Sequence, residues 1–176
     1  MRDLGRRLAT VLRAGDLVIL SGPLGAGKTT LTQGIADGLG VRGPITSPTF
    51  VIARVHPPLR PAAGTGFGVR GPALVHADAY RLGSVLELDD LDLDADLATS
   101  VTVVEWGEGL AEGLSEDRLD IVITPAPAGA DPGAGGGGDG GAGAGDGDAP
   151  RTVRISGAGA RWQDVQLPPA EVADRL

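Results

Sequence analysis

The run Gly22–Thr29, which spells GPLGAGKT, carries groups suited to binding a nucleoside triphosphate. It fits the pattern G-x-x-x-x-G-K-[ST], whose glycines let the backbone fold tightly and turn its N–H groups toward phosphate oxygens. Within this pattern Lys28 can reach the β- and γ-phosphates, and the Thr29 hydroxyl can ligate Mg²⁺. A helix after the run would direct its positive N-terminal end at the same anion.

A chance match has to be weighed, because Gly makes up 30 of the 176 residues. The probability that both required glycines and a following Ser or Thr stand by chance around the single lysine is roughly 0.003. Leu17–Leu20 is a short apolar run typical of a buried strand, and Thr29–Leu39 has the pattern of a helix, so the motif has the context it needs. Lys28 is also the only lysine beside fourteen arginines, and its flexible ammonium suits a tight cradle better than a guanidinium does. The alternative is a glycine-rich turn.

Two further predicted strands end in a carboxylate, Ala73–Asp78 and Val101–Glu105. Ligands of open α/β sheets bind beyond the carboxyl ends of the strands, so Asp78 and Glu105 are placed to meet nucleotide, Mg²⁺ or water. One of the two could bind Mg²⁺ while the other orients the attacking water. Asp78 could instead cap a helix, since Asp is a favoured N-cap residue.

Three residues near these strand ends have less specific interpretations. His76 shares a strand face with Asp78 and is expected to be a packed residue rather than a ligand. Trp106 is either a core side chain, which is the default expectation, or an exposed contact for a partner. Arg81 could pair with a carboxylate or with a phosphate.

The segment Ile45–Phe50 brings three hydroxyls, from Thr46, Ser47 and Thr49, to one short stretch with a Ser-Pro step. Such a segment could be a switch loop that senses the γ-phosphate or its Mg²⁺. It could equally be a capped turn into a strand over 50–55, because the residue before proline favours extended backbone.

Composition limits the function classes. The net charge of −8 argues against a free-standing nucleic-acid binder, although a partner could hold the nucleic acid. The absence of cysteine excludes disulfides and thiolate chemistry, and two histidines alone make a structural zinc site implausible. Since no transmembrane run or signal peptide is evident, we expect a soluble, cytoplasmic protein with no membrane partner.

The elements that would position these residues predict an α/β fold. We expect a three-layer P-loop NTPase with a mostly parallel central sheet and added antiparallel strands. An apolar stripe predicts a helix over 2–14, and the alternating segments 118–124 and 152–156 are expected to pair antiparallel.

The whole chain, 1–176, is expected to form a single domain. Residues 56–72 are rich in proline and glycine and predict a flexible loop. The stretch 126–150 consists of glycine, alanine, aspartate and proline, and has little apolar area with which to offset its ordering entropy. We therefore predict a disordered insertion there.

Four segments taken together resemble the TsaE family, the small bacterial ATPase needed to make threonylcarbamoyladenosine in tRNA. They are GPLGAGKTT at 22–30, SPTF at 47–50, HADAYRL at 76–82 and VEW at 104–106. The phosphate loop alone would be generic, and the other three segments make the match specific.

The resemblance implies a role for each matching position. Lys28 and the loop backbone would bind the ATP phosphates, Thr29 and Glu105 would hold Mg²⁺, and Asp78 would serve hydrolysis. Thr49 would belong to the nucleotide-sensing loop. The full set expected to bind ATP is Gly22, Gly25, Ala26, Gly27, Lys28, Thr29, Thr30 and Thr49. Near the end of the chain, Arg118 and Arg151 are candidates for a basic nucleotide contact.

The resemblance also implies partners. A TsaB–TsaD heterodimer would be the main one, in which TsaD transfers the threonylcarbamoyl group to an adenosine of tRNA and ATP hydrolysis resets the complex. The chain would meet tRNA only indirectly, which fits its acidic charge. Two other functions stay open, a P-loop small-molecule kinase and a nucleotide-dependent scaffold with negligible hydrolysis.

Overall fold

The structure, a computed structural model, describes residues 1–48, 52–59, 71–89, 93–125 and 151–169. The predictions for Thr49, for most of the loop over 56–72 and for the insertion over 126–150 therefore lie outside the described residues.

Within these described ranges, the centre of the fold is a six-stranded mixed sheet in the order β2-β3-β4-β1-β5-β6. Strands β1, β3, β4 and β5 run parallel to one another, and the edge strands β2 and β6 are antiparallel to their neighbours. The strands are β1 (Leu17–Ser21), β2 (Ala53–His56), β3 (Ala73–Asp78), β4 (Ser100–Glu105), β5 (Arg118–Pro125) and β6 (Arg151–Ala158). The mostly parallel α/β sheet that the sequence predicted is thereby confirmed.

Strand β1 is buried along its whole length because both faces of the sheet are covered. Val18 and Leu20 point into one hydrophobic cluster, and Leu17 and Ile19 point into the other. Successive side chains of a strand point to opposite faces, so a strand in a middle layer must be apolar throughout. This arrangement is the predicted three-layer architecture.

The first face is covered by helices α1 (Arg2–Ala9) and α2 (Lys28–Leu39). Gly5 and Gly34 lie where the two backbones approach most closely, because a methyl group at either position would overlap backbone atoms of the other helix. Asp37 joins the helices further, since it accepts hydrogen bonds from Arg2 and Arg6 at 3.1 and 3.0 Å. Helix α1 thus holds the helix that follows the phosphate loop.

Helix α1 ends at Ala9, so the prediction of a helix over 2–14 was too long. The Thr10 hydroxyl donates to the Arg7 carbonyl at 2.7 Å, a side-chain bond that competes with continuation of the helix. Leu12 still reaches the core from the turn that follows. The amphipathic stripe therefore marked core residues correctly and the helix end incorrectly.

The second face is covered by α3 (Val85–Asp89), α4 (Leu93–Leu97) and a 3-10 helix (Glu112–Leu114). Leu88 and Leu93 are buried in this layer. Strand β2 begins at Ala53, three residues later than the predicted start at residue 50, and residues 50–51 lie outside the described ranges.

Strands β5 and β6 form the predicted antiparallel pair, in the register Ile121 opposite Ile155. A short 3-10 helix, Ala160–Trp162, follows β6 and buries the Trp162 side chain in the core. The last described segment is thus part of the packed structure. In the described part of the chain, every helix is too short or too polar to cross a membrane.

Candidate functional site

The phosphate loop connects β1 to α2 and has the backbone conformation that its glycines permit. Gly22, Gly25 and Gly27 have φ values of 142°, 77° and 99°, which a residue with a Cβ rarely adopts. At Gly22 a Cβ would also overlap the backbone of Ile123 on β5. These glycines are therefore required by the conformation of the loop itself.

The Lys28 side chain folds back over this loop. Its ammonium donates to the carbonyls of Gly22 and Pro23 at 2.7 and 3.0 Å. Burial lowers the pKa of Lys28, and the nearby carboxylates of Glu105 and Asp78 oppose that shift. The two carboxylates compensate only part of the cost of burying this cation, so an anionic ligand next to it would stabilise its charge further.

The sheet brings the two predicted carboxylates together. Strand β4 lies between β3 and β1, and its last residue, Glu105, pairs with Asp78 on one side and Leu20 on the other. The Thr29 hydroxyl donates to Glu105 Oε2 at 3.0 Å. Both carboxylates are almost fully buried, with exposed fractions of 4% for Asp78 and 2% for Glu105.

Asp78 uses its two oxygens for different partners. Oδ1 accepts from the backbone N–H of Tyr80 at 3.0 Å and so closes a turn. The alternative that Asp78 caps a helix is wrong, because the next helix begins only at Val85. Oδ2 accepts from the Ser47 hydroxyl at 2.8 Å, so Asp78 is also tied to the segment with the Ser-Pro step. The turn contact and a functional role are compatible in this geometry.

Trp106 belongs to the site and is not a core side chain, so the default expectation for it was wrong. Its backbone has a φ of 61°, and its ring centroid lies 3.6 Å from Lys28 Nζ and 5.0 Å from the Tyr80 ring centroid. Aromatic faces attract cations within about 6 Å. The sequence offered no signal for this contact beyond the position of Trp106 after a strand end.

These groups line one open pocket of about 500 Å³. The lining residues come from the phosphate loop, the start of α2, the segment with the Ser-Pro step, and the ends of β3 and β4 with the residues just after them. They are Leu24, Gly25, Ala26, Gly27, Lys28, Thr29, Thr30, Ser47, Asp78, Tyr80, Glu105 and Trp106. Gly22 is not in the lining and contributes through the turn and its carbonyl. The other residues expected to bind ATP, together with Asp78 and Glu105, line this pocket, except Thr49, which lies outside the described ranges.

The donor set fits Mg²⁺ bound together with a triphosphate. Mg²⁺ is usually held by one or two protein oxygens, with phosphates and waters completing its octahedron. The Thr29 hydroxyl and Glu105 carboxylate are such oxygens and already lie 3.0 Å apart. Among the described residues no cluster of three or more His, Cys, Asp or Glu side chains could hold a metal.

Arg118 does not belong to this site, which corrects one of the candidate nucleotide contacts. It pairs with Leu17 at the start of β1, so it lies at the amino ends of the parallel strands, whereas the phosphate loop lies at their carboxyl ends. Its side chain contacts Asp120 at 3.3 Å. Arg151 pairs with Pro125 at the carboxyl end of β5, the end of the strands at which the phosphate loop also lies. The two arginines lie at opposite ends of the strands because β5 and β6 run in opposite directions, and this placement was missing from the sequence analysis.

The family model described as "Threonylcarbamoyl adenosine biosynthesis protein TsaE" matches residues 1–129. The chain belongs to the TsaE family. The resemblance seen in the four sequence segments is thereby confirmed. TsaE proteins are named for the biosynthesis of threonylcarbamoyladenosine in tRNA, so the chain belongs to a family of tRNA-processing proteins.

Individual TsaE relatives are similar over different shares of the chain. The tRNA threonylcarbamoyladenosine biosynthesis protein TsaE of Streptomyces coelicolor is 56% identical over 163 residues, 92% of this chain and 93% of the relative. That of Mycobacterium tuberculosis is 59% identical over 124 residues, 67% of this chain and 69% of the relative. The crystal structure of Bacillus subtilis YdiB has a TM-score of 0.51 at 32% identity, covering 71% of this chain and 70% of YdiB. These matches support the P-loop type of fold.

Proposed function

We propose that this TsaE-family chain is a Mg²⁺-dependent ATPase that acts on a TsaB–TsaD-like heterodimer during threonylcarbamoyladenosine synthesis on tRNA. The observation that carries the proposal is the convergence of Lys28, Thr29, Asp78 and Glu105 on one pocket at the carboxyl edge of the sheet. A phosphate loop, a hydroxyl and two carboxylates are the groups that phosphoryl transfer to water needs.

Lys28 and the loop backbone would bind the phosphates. The loop N–H groups and the start of α2 provide partial positive charge, and the Lys28 ammonium would exchange loop carbonyls for phosphate oxygens. That exchange replaces two neutral acceptors with anionic ones, so the cation would be better compensated in the complex than in the empty loop.

Thr29 and Glu105 would hold Mg²⁺, which neutralises charge on the phosphates when it is bound. Asp78 would position the water that attacks the γ-phosphate, because its carboxylate lies in the same pocket and accepts from Ser47 at 2.8 Å. Through that hydrogen bond, a movement of the Ser-Pro segment would alter the orientation of Asp78.

The surface around the pocket suits a protein partner. Leu24 and Tyr80 line the pocket and are 88% and 61% exposed, so two large apolar side chains surround its entrance. A net charge of −8 disfavours direct binding of tRNA. The partner would therefore hold the tRNA, and the chain would contact the partner near its own nucleotide.

The deciding experiment is ATP hydrolysis by the purified chain, alone and with a TsaB–TsaD pair from the same source plus tRNA. We expect a low basal rate that rises when the complex is added. Lys28→Met removes the ammonium and should abolish binding and turnover. Thr29→Ala should reduce Mg²⁺-dependent turnover far more than ATP binding, and Thr29→Ser, which keeps the hydroxyl, is the matched control.

Each alternative has a distinct outcome in the same assay. Transfer of the γ-phosphate to a small acceptor, detected as a phosphorylated product, would indicate a kinase. Tight ATP binding without release of phosphate under any condition would indicate a scaffold. If Asp78→Asn or Glu105→Gln kept the full rate, the role assigned to that carboxylate would be wrong.

A further inference from the structure

His76 is a histidine buried in the middle of the sheet, next to the pocket. It is 0% exposed on β3, and its Nε2 lies 2.8 Å from Oε1 of Glu105 on the neighbouring strand β4. His76 pairs with Val103, two residues before Glu105, so both side chains point to the same face of the sheet. The contact therefore follows from the alternation of side chains along each strand together with the parallel register of β3 and β4.

The two oxygens of Glu105 have different partners. Oε1 contacts the buried His76 ring, whereas Oε2 accepts from the Thr29 hydroxyl at 3.0 Å. The last torsion of a glutamate side chain is broad, so the carboxylate plane needs contacts to define its orientation. One partner on each oxygen determines which of them faces the pocket.

Packing alone is a poor explanation for a histidine here. The neighbouring positions of β3, including Leu74, Val75 and Ala77, are buried and apolar. His76 Nδ1 is buried and has no hydrogen-bond partner among the described residues. An apolar side chain would avoid the cost of burying that unpaired nitrogen, so the bond to Glu105 is the feature that requires histidine.

We infer that His76 is a positioning residue that holds Glu105 with Oε2 turned toward Thr29, so that these two oxygens are arranged to receive Mg²⁺. This inference rests on the proposed function, because it concerns the same metal pair. Partners of this kind, which orient a ligand without touching the metal, typically change metal affinity by about 10–100-fold when removed. His76 would not contact the nucleotide.

The test compares His76→Asn with His76→Gln. The amide nitrogen of glutamine can occupy the place of Nε2 and still donate to Glu105, whereas that of asparagine is too short to do so. Calorimetric titration with the non-hydrolysable analogue AMP-PNP would be run in EDTA and at several Mg²⁺ concentrations. We expect His76→Asn to raise the Mg²⁺ concentration for half-maximal effect by about tenfold, with affinity in EDTA unchanged, and His76→Gln to stay near wild type.

His56→Asn is the matched control, since His56 is the other buried histidine of the sheet and contacts the Arg42 carbonyl instead. It should leave the Mg²⁺ dependence unchanged. Equal Mg²⁺ dependence in His76→Asn and wild type would overturn the inference, as would an equal loss of affinity in EDTA. If wild type itself showed no Mg²⁺ dependence, the proposed metal role would fail before any variant was compared.

A second measurement does not depend on the variants folding. Nitrogen-15 NMR of the histidine ring in the wild-type chain without nucleotide reports which ring nitrogen carries a proton. We expect a proton on Nε2 of His76, since only a protonated Nε2 can donate to the carboxylate. An unprotonated Nε2 would overturn the inference.

Discussion

The Lys28 ammonium lies 3.6 Å from the centroid of the Trp106 ring, and that ring lies 5.0 Å from the ring of Tyr80. The cation proposed to bind phosphate is thus in contact with an indole at the entrance of its own pocket. Trp106 is held there by a backbone hydrogen bond to the Leu20 carbonyl at 2.8 Å, which extends the pairing of β4 with β1. Movement of Lys28 will therefore change the surroundings of Trp106.

Binding of ATP should change the tryptophan fluorescence of the chain, because Lys28 must leave the loop carbonyls and the indole face to reach phosphate. The change should disappear in Trp106→Phe and persist in Trp162→Phe. Trp162 is the matched control, since it is buried after β6 and contacts Arg161 instead. An emission titration with ATP in EDTA and in Mg²⁺ would measure the effect. Loss of the signal only in Trp162→Phe would contradict it.

Replacing Gly34 by alanine should destabilise the fold. A Cβ there would overlap the Arg2 carbonyl of α1, and overpacking of this kind costs about 1–3 kcal/mol. The loss should exceed the helical preference for alanine over glycine, which is about 1 kcal/mol. Urea denaturation would measure the change. Gly113→Ala is the control, since nothing lies within 4 Å of its Cβ position, and it should change stability by less than about 0.5 kcal/mol.

Arg161 should contribute strongly to stability through Asp16. Its guanidinium donates to both oxygens of Asp16 at 3.1 Å and to the Val11 carbonyl at 2.7 Å, and both side chains are largely buried. Arg161→Ala would leave the carboxylate of Asp16 without its cation, a loss of about 3 kcal/mol. Arg154→Ala, an exposed arginine of β6, should change the unfolding free energy by less than about 0.5 kcal/mol. Similar small effects from both substitutions would show that the last described segment adds little.

His56 should make the fold less stable in mild acid. Burial lowers the pKa of His56 below its ordinary value of 6.5, so the unfolded chain binds this proton more tightly than the folded chain. The contribution of neutral His56 to the free energy of unfolding is therefore fully present above pH 6.5 and is lost as the pH falls through the lowered pKa. Urea midpoints between about pH 7.5 and 5.5 should fall less in His56→Gln than in wild type. An identical pH slope in the two would contradict the assignment.

Local patterns predicted the main strands and α2, and most residues of the candidate site. The phosphate loop was predictable because its glycines, lysine and threonine act at fixed spacing between one strand and one helix. Asp78 and Glu105 were predictable as strand-end carboxylates, since the carboxyl ends of parallel strands share an edge. The end of α1 was not, because buried Leu12 continues the apolar stripe beyond Ala9, where the helix ends.

Contacts between distant residues were decided only by the tertiary structure. The order β3-β4-β1 places Glu105 between Asp78 and Leu20, and from this follow the bonds of Glu105 to His76 and to Thr29. Strand order depends on how helices cover both faces of the sheet, and periodicity within a strand does not carry that information. Alternation within each strand puts His76 on the face of Leu74 and Glu105 on the face of Val103, and the register of β3 against β4 determined that the two side chains share a face and meet.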